Sequence, residues 1–422
     1  MIEALVNAFR IPDLRKKILF TLGIIALYRI GAHIPVPGID PGAVKEIVQS
    51  GAALGLLNLF AGGALENFAL FSLGIMPYIT SSIIIQLLQA VIPALERWGK
   101  EGEAGQRKIT QTTRYLTLGI GFIESIGLLT VFQAAPASGG IGVQFDWLTR
   151  IVIVISLLAG TAFIMWLGEL ITQRGIGNGM SLLIFSSIVA RFPVTLVNAI
   201  QLNEWYMTIF LLVVALFVIA AVIFMERGQR RIPVQYAKRI VGRKVYGGAG
   251  TYIPLKVNGA NVIPIIFASS ILLFPATISQ FFPNVAWLRS LSSALSQGWL
   301  YIVLYAGLIV FFTYFYTALV FNPIDLADNL RKNGGFIPGV RPGKQTVTYI
   351  ENVLNRITLP GGVFLAAIAV LPQVFFQFQA TSSPLLRAFG GTSILIMVGV
   401  ALETMTQLES QLKMRHYDGF FK

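Results

Sequence analysis

The sequence predicts an all-α membrane protein with ten transmembrane helices, and three observations carry that expectation. Hydrophobic residues make up 55% of the 422 positions and charged residues only 12%. The mean hydropathy is +0.72, far above that of a soluble domain of this length. Ten apolar segments, at 18–36, 71–92, 115–133, 151–171, 181–200, 206–225, 259–279, 300–320, 357–377 and 391–409, are each about 20 residues long. A helix rising about 1.5 Å per residue then crosses a hydrocarbon core of about 30 Å. Finally, the connections alternate in charge: of 32 lysines and arginines, 26 fall on one side and 6 on the other. Cytoplasmic loops carry the excess of positive charge, so the basic side, with both termini, is expected in the cytoplasm.

Span 1 follows Arg10, Arg15, Lys16 and Lys17. It is long and lacks a small-residue cleavage pattern, so it reads as a permanent helix rather than a cleavable signal. Before span 2 the pattern breaks. Residues 54–60 are apolar, Gly62 and Gly63 interrupt, and 64–71 is apolar again around Glu66 and Asn67 before Gly74 and Pro77 open a long run. That reads as a short half-helix, a break and a full helix. Such a break points to an internal cavity, where protein or water satisfies the backbone, or to an interfacial helix capping the bundle. Between spans 4 and 5, Arg174-Gly-Ile-Gly-Asn-Gly follows a membrane helix rather than a strand. A tight turn is expected there, not a nucleotide site.

Spans 1–5 lie in 1–200 and spans 6–10 in 201–422. An odd number per half turns the halves over relative to each other, so a structural repeat would be of the inverted type. A bundle without symmetry is the other reading. Two basic-side loops exceed what a connection needs. In 226–258, the runs at 231–236 and 251–257 are β-prone around a basic tip, which predicts a protruding hairpin. In 321–356, Gly334-Gly335, Pro338-Gly339 and Pro342-Gly343 mark turns around Arg341. After them Ile350, Val353, Leu354 and Ile357 fall at helical spacing, so span 9 is expected to extend into the cytosol.

Catalytic chemistry has little to work with, and no enzyme is expected. There is no cysteine, which excludes disulfides, thiolate metal sites and cysteine nucleophiles. The two histidines, His33 and His416, lie at opposite ends of the chain. No aspartate lies within a span, and no Gly-rich loop with lysine and serine or threonine forms a Walker motif. Cofactors and metals are not expected. Glu124, in the middle of span 3 beside Ser125, is the exceptional carboxylate. It either lines a wet path or bonds a neighbouring helix. A secondary transporter also suits broken helices and inverted halves, but it calls for a midplane polar cluster where this chain has mostly aliphatic residues. The clustered charge in 226–258 suggests a docking surface for phosphates, such as those of ribosomal RNA.

Several segments in order along the chain resemble the SecY family, the channel subunits of bacterial protein-export translocons. They are Leu73-Gly-Ile-Met-Pro-Tyr-Ile with Ser82-Ile-Ile-Ile-Gln-Leu-Leu, Met165-Trp-Leu-Gly-Glu, Arg174-Gly-Ile-Gly-Asn-Gly, Glu226-Arg-Gly-Gln-Arg-Arg, Pro264 with Phe267-Ala-Ser-Ser, Phe321-Asn-Pro and Pro338-Gly-Val-Arg-Pro-Gly. They run from Ile34-Pro-Val-Pro-Gly-Ile-Asp to Gly390-Gly-Thr-Ser.

The resemblance implies two inverted five-helix halves around a central pore that opens sideways. It places a pore ring on Ile75, Ile79, Met180, Ile184, Ile266 and Ile396, where an aliphatic girdle dewets when empty. It places a plug at about 57–71, with Phe60, Gly62, Gly63, Leu65 and Asn67. The lateral gate falls on Ser82, Gln86, Glu124, Ser269 and Ser270, Glu124 standing where an amide is usual. Docking of the SecA motor ATPase and the ribosome falls on Arg230, Arg231, Arg239, Arg243, Lys244 and Arg341. The implied partners are SecE, SecG, SecA, the ribosome, signal peptides, unfolded preproteins and membrane lipids. The implied location is the bacterial cytoplasmic membrane.

Overall fold

The computed structural model describes residues 9–37, 39, 42, 44–45, 48, 57–58, 60–134, 146–201, 205–236, 239–241, 244–246, 251–281, 285–296, 298–378 and 391–418. Among them, ten long helices follow one another, one at each predicted span: α1 Pro12–Gly31, α2 Met76–Val91, α4 Glu103–Ala134, α5 Trp147–Arg174, α6 Gly179–Gln201, α7 Trp205–Arg227, α8 Ile263–Phe281, α10 Trp299–Val320, α12 Lys344–Phe378 and α13 Gly391–Asp418. Shorter helices α3 Pro93–Lys100, α9 Ala286–Ser296 and α11 Pro323–Lys332 lie between them. Four segments, Glu103–Gln133, Trp147–Arg174, Trp299–Lys332 and Lys344–Leu371, are long and apolar enough among the described residues to cross a membrane unaided. The pair α2–α3, bent by 101°, would make a fifth if it is one broken span.

Several boundaries differ from the apolar runs, each for a local reason. Helix α1 stops at Gly31 rather than continuing to 36, because Pro35 and Pro37 follow and a residue before proline is pushed out of the helical region. Helix α2 starts at Met76, not 71. Gly74 takes a left-handed φ of 59°, and Pro77 then sits in the first turn, where its missing N–H costs nothing. Helix α12 begins at Lys344, so span 9 does extend beyond its apolar run. The glycine-rich link between α5 and α6 is a tight turn with Gly177 at φ 84°. Thr21 Oγ1 accepts from Ile176 N at 3.2 Å and Thr172 Oγ1 from Gly179 N at 2.9 Å, tying the turn to α1 and α5.

The two long loops meet in one small sheet. Strand β1 (Gln229–Tyr236) pairs antiparallel with β4 (Thr251–Lys256), with Gln229 opposite Lys256 and Val234 opposite Thr251. Its far end pairs with β5 (Gly335–Phe336) from the second loop, Tyr236 opposite Gly335. Toward the tip, β2 (Arg239–Val241) and β3 (Lys244–Tyr246) form a separate two-stranded ribbon. Ile232, Val234 and Leu255 bury one face of the sheet against Leu330, Ile337 and Ile350. The helical stripe of Tyr349, Val353, Leu354 and Ile357 closes over it. The hairpin and the turn-rich loop thus share one hydrophobic core.

Within the bundle, a single large apolar cluster draws on residues from both halves of the chain, from Ile24 to Val400. A second cluster packs Leu65 and Phe68 against Leu128, Leu129 and Phe132 of α4 and Ile153 and Leu157 of α5.

Candidate functional site

Six apolar positions, those named for the pore ring, all lie in the large buried cluster of the bundle. Ile75 is the capping residue just before α2, and Ile79 lies one turn on. Met180 and Ile184 are one turn apart on α6, Ile266 is in the first turn of α8, and Ile396 is in α13. All six belong to the large central cluster, with exposures between 1% for Ile75 and 9% for Met180. Sequence spacing within each helix puts the paired residues on one face, but only the fold brings four helices together. None of the six side chains carries a charge. Water held there has no polar side-chain partner on these six residues, which favours a dry seal.

Much of the segment from 57 to 75 packs into the same cluster. Residues 57, 58 and 60 are helical, and 61–75 runs as successive turns except at the isolated bridge of Ala69 with Pro35. Gly62 and Gly63 have φ of 66° and 90°, and Phe68 is at 40°, conformations that glycine adopts without strain. Phe60, Ala61, Ala64 and Phe71 are buried in the same cluster as the six aliphatic residues. Leu65 and Phe68 belong to the neighbouring cluster. Phe71 stacks on Tyr28 at 5.6 Å and Phe68 meets Phe132 edge-on at 5.1 Å. The stretch before it donates Val36 N to Phe68 O and accepts from Leu70 N at Ile34 O, both at 2.9 Å.

Polar contacts hold the same segment at its glycine turn. Arg29 Nη1 donates to Gly62 O at 3.0 Å, and Arg191 pairs with Glu66. Asn58 Oδ1 accepts from Glu66 N at 3.3 Å. Tyr28 and Ser187, joined by a 2.7 Å hydrogen bond between hydroxyls, tie α1 to α6 beneath it. Asn67 reaches back to Gly63 O at 3.5 Å. Sequence reasoning missed Tyr28, Arg29, Ser187 and Arg191. The available signal was that Arg29 and Arg191 are two of only six basic residues on the sparsely charged side.

Helix α8 packs against both α2 and α4, so the positions named for a lateral gate lie on neighbouring helices. Gln86 donates to Ser82 Oγ at 3.1 Å along α2. Ser269 Oγ donates to Ile266 O at 2.9 Å, while the buried Ser270 Oγ has no partner among the described residues. Glu124 is partly buried on α4. Its neighbour Ser125 donates to Gly121 O at 2.6 Å.

On the sheet, Arg230 and Arg231 are exposed, and the Arg231 guanidinium lies 4.9 Å from the centre of the Tyr252 ring. Arg341 is exposed in the turn before α12, its carbonyl accepting from Thr346 Oγ1 at 3.0 Å. Arg239 and Lys244 fall on the tip ribbon in β2 and β3. Arg243 lies outside the described residues.

A bundle of long apolar helices around a large buried apolar cluster, with a turn-rich segment between α1 and α2 packed into it, has the make-up of a multi-pass membrane protein. The SecY family model matches residues 69–405. The protein translocase subunit SecY of Streptomyces galbus is 51% identical over 440 residues, and that of Mycobacterium bovis 47% over 445, each alignment covering all of both chains. The chain belongs to the SecY family.

Solved structures share the fold at low sequence identity. A protein-conducting channel superposes with a TM-score of 0.65 at 19% identity, covering 93% of this chain and 91% of that one. Sec61 in a canine ribosome–channel complex from the endoplasmic reticulum gives 0.61 at 17% identity, with the same coverage. The solute-transporter alternative finds no support among these relatives.

Proposed function

We propose that this chain is the pore of a protein export channel, passing unfolded polypeptides across the bacterial cytoplasmic membrane and releasing apolar segments sideways into the lipid. The observation that carries the proposal is that Ile75, Ile79, Met180, Ile184, Ile266 and Ile396, drawn from both halves of the chain, all belong to one large buried apolar cluster. A girdle of flexible aliphatic side chains can mould itself to any passing sequence, whereas a polar one would select solutes. Residues 57–71 act as the plug above that girdle, and the sides of α2 and α4 part from α8 to form the gate. The halves 1–200 and 201–422 are inverted copies, with both termini in the cytoplasm.

The chain carries no energy source of its own and is not an enzyme, so the motor SecA or the translating ribosome drives transport. Both dock on the exposed arginines of the sheet and of the Arg341 turn. SecE braces the two halves and SecG completes the complex.

Native cysteine is absent, which permits a direct test. A cysteine at Ile79 should form a disulfide with a cysteine in a preprotein arrested halfway. A cysteine at Ile155, 60% exposed on α5, should not. Equal crosslinking at both positions, or crosslinking only at Ile155, would overturn the assignment of the pore.

A further inference from the structure

We infer that Arg191 and Arg29 are positioning residues, forming an ionic latch that holds the plug in its closed seat. The inference rests on reading 57–71 as the plug. Positive charge on the sparsely charged side of a membrane protein works against topology, so an arginine kept there calls for a local use. Arg191 and Arg29 both have one, on the same few residues. Arg191 pairs with Glu66, at side-chain exposures of 25% and 22%. Arg29 donates to the carbonyl of Gly62, four residues earlier. The two cations therefore grip the plug through one side chain and one backbone oxygen.

The seat is shaped as well as charged. A Cβ on Gly62 would lie 2.7 Å from Arg29 Nη1 and 3.0 Å from the Ser187 backbone, so only glycine lets the turn settle between α1 and α6. Ser187 is fixed in turn by Tyr28 and by the Leu183 carbonyl, 3.0 Å away. Glu66 is held by its own amide, which donates to Asn58 Oδ1.

The aromatic and aliphatic contacts of Phe60, Ala64 and Phe71 are non-directional and would tolerate a shifted plug. A charge pair and a directed guanidinium bond fix one register. Opening must break both, and because the pair is already about a quarter exposed, water can reach the released charges, so the latch opens without stranding a fully buried ion.

Charge exchange tests the latch. Glu66→Arg and Arg191→Glu, each alone, should raise the resting ion conductance of the reconstituted channel about tenfold, because each places like charges together. The double variant Glu66→Arg with Arg191→Glu should return conductance to near the parental level. Glu66→Gln, which keeps the shape and removes the charge, should give a smaller rise of the same sign and guards against misfolding of the reversals. Parental conductance in all single variants, or a double variant at least as leaky as the worse single, would overturn the latch.

Replacing 60–68 with a glycine–serine linker separates this result from the plug reading. A leak from the linker variant without a leak from the single variants removes the latch and keeps the plug. A tight linker variant removes the plug itself.

Discussion

Replacing Ile79 and Ile266 with asparagine should turn the seal into a leak. Both side chains are nearly buried in the apolar centre, at 7% and 8% exposure. Asparagine is smaller than isoleucine and brings an amide that has no partner in that cluster. Leaving such a group dry costs about 1–3 kcal/mol, and a water molecule entering the constriction relieves that cost. Since about 1.4 kcal/mol corresponds to a factor of ten in rate, resting ion flux should rise about 10-fold to 100-fold for each substitution. Ile79→Leu keeps volume and apolarity and should leave flux at the parental level, since volume-conserving swaps disturb packing little. Planar bilayers holding the purified channel, with no preprotein present, read the flux directly. If both asparagine variants are as tight as the parent, these residues do not form the constriction and the dry-seal reasoning fails.

The remaining predictions concern the basic loops and the helix ends beside them. Arg341→Glu should cripple SecA-driven export while the protein still folds and inserts, whereas Arg243→Glu with Lys244→Glu should weaken ribosome binding most, with a steep dependence on salt. The reverse pattern, ribosome binding lost with Arg341→Glu and motor-driven transport spared, would exchange the roles of the two loops. Arg114 bonds Glu169 in bidentate fashion, Nε to Oε1 at 2.7 Å. Breaking a fully buried pair costs about 3–5 kcal/mol; with Arg114 42% exposed, Arg114→Ala should cost about 1–2 kcal/mol after screening. Unchanged thermal unfolding in detergent would show that this pair contributes nothing.

The sequence made the helices plain and their ends less so. Apolar length and charge alternation report where the chain lies in lipid, but Pro35, Gly74 and Pro77 decide where hydrogen bonding stops, and they act over one or two residues. The amphipathic start of α12 was readable because Ile350, Val353, Leu354 and Ile357 share one helical face. The pairing of Tyr236 with Gly335 was not, because β5 is two residues long and a pairing across about 100 residues leaves no periodic trace. The ring residues show the same limit. Ile266 and Ile396 look like any isoleucine in a membrane helix; the family resemblance singled them out, and the fold places all six in one cluster. The contact of Arg191 with Glu66 spans 125 positions. Its only hint was the presence of arginine where the charge pattern disfavours it.

The central claim is that this chain conducts polypeptides. Its most direct test is reconstitution into liposomes with SecE and SecA, followed by addition of ATP and an unfolded presecretory protein. The preprotein should become resistant to external protease until detergent dissolves the vesicles, and Arg341→Glu should abolish that protection. A preprotein that stays fully digestible with ATP and SecA present, under conditions where another SecY-family complex protects it, would contradict the account.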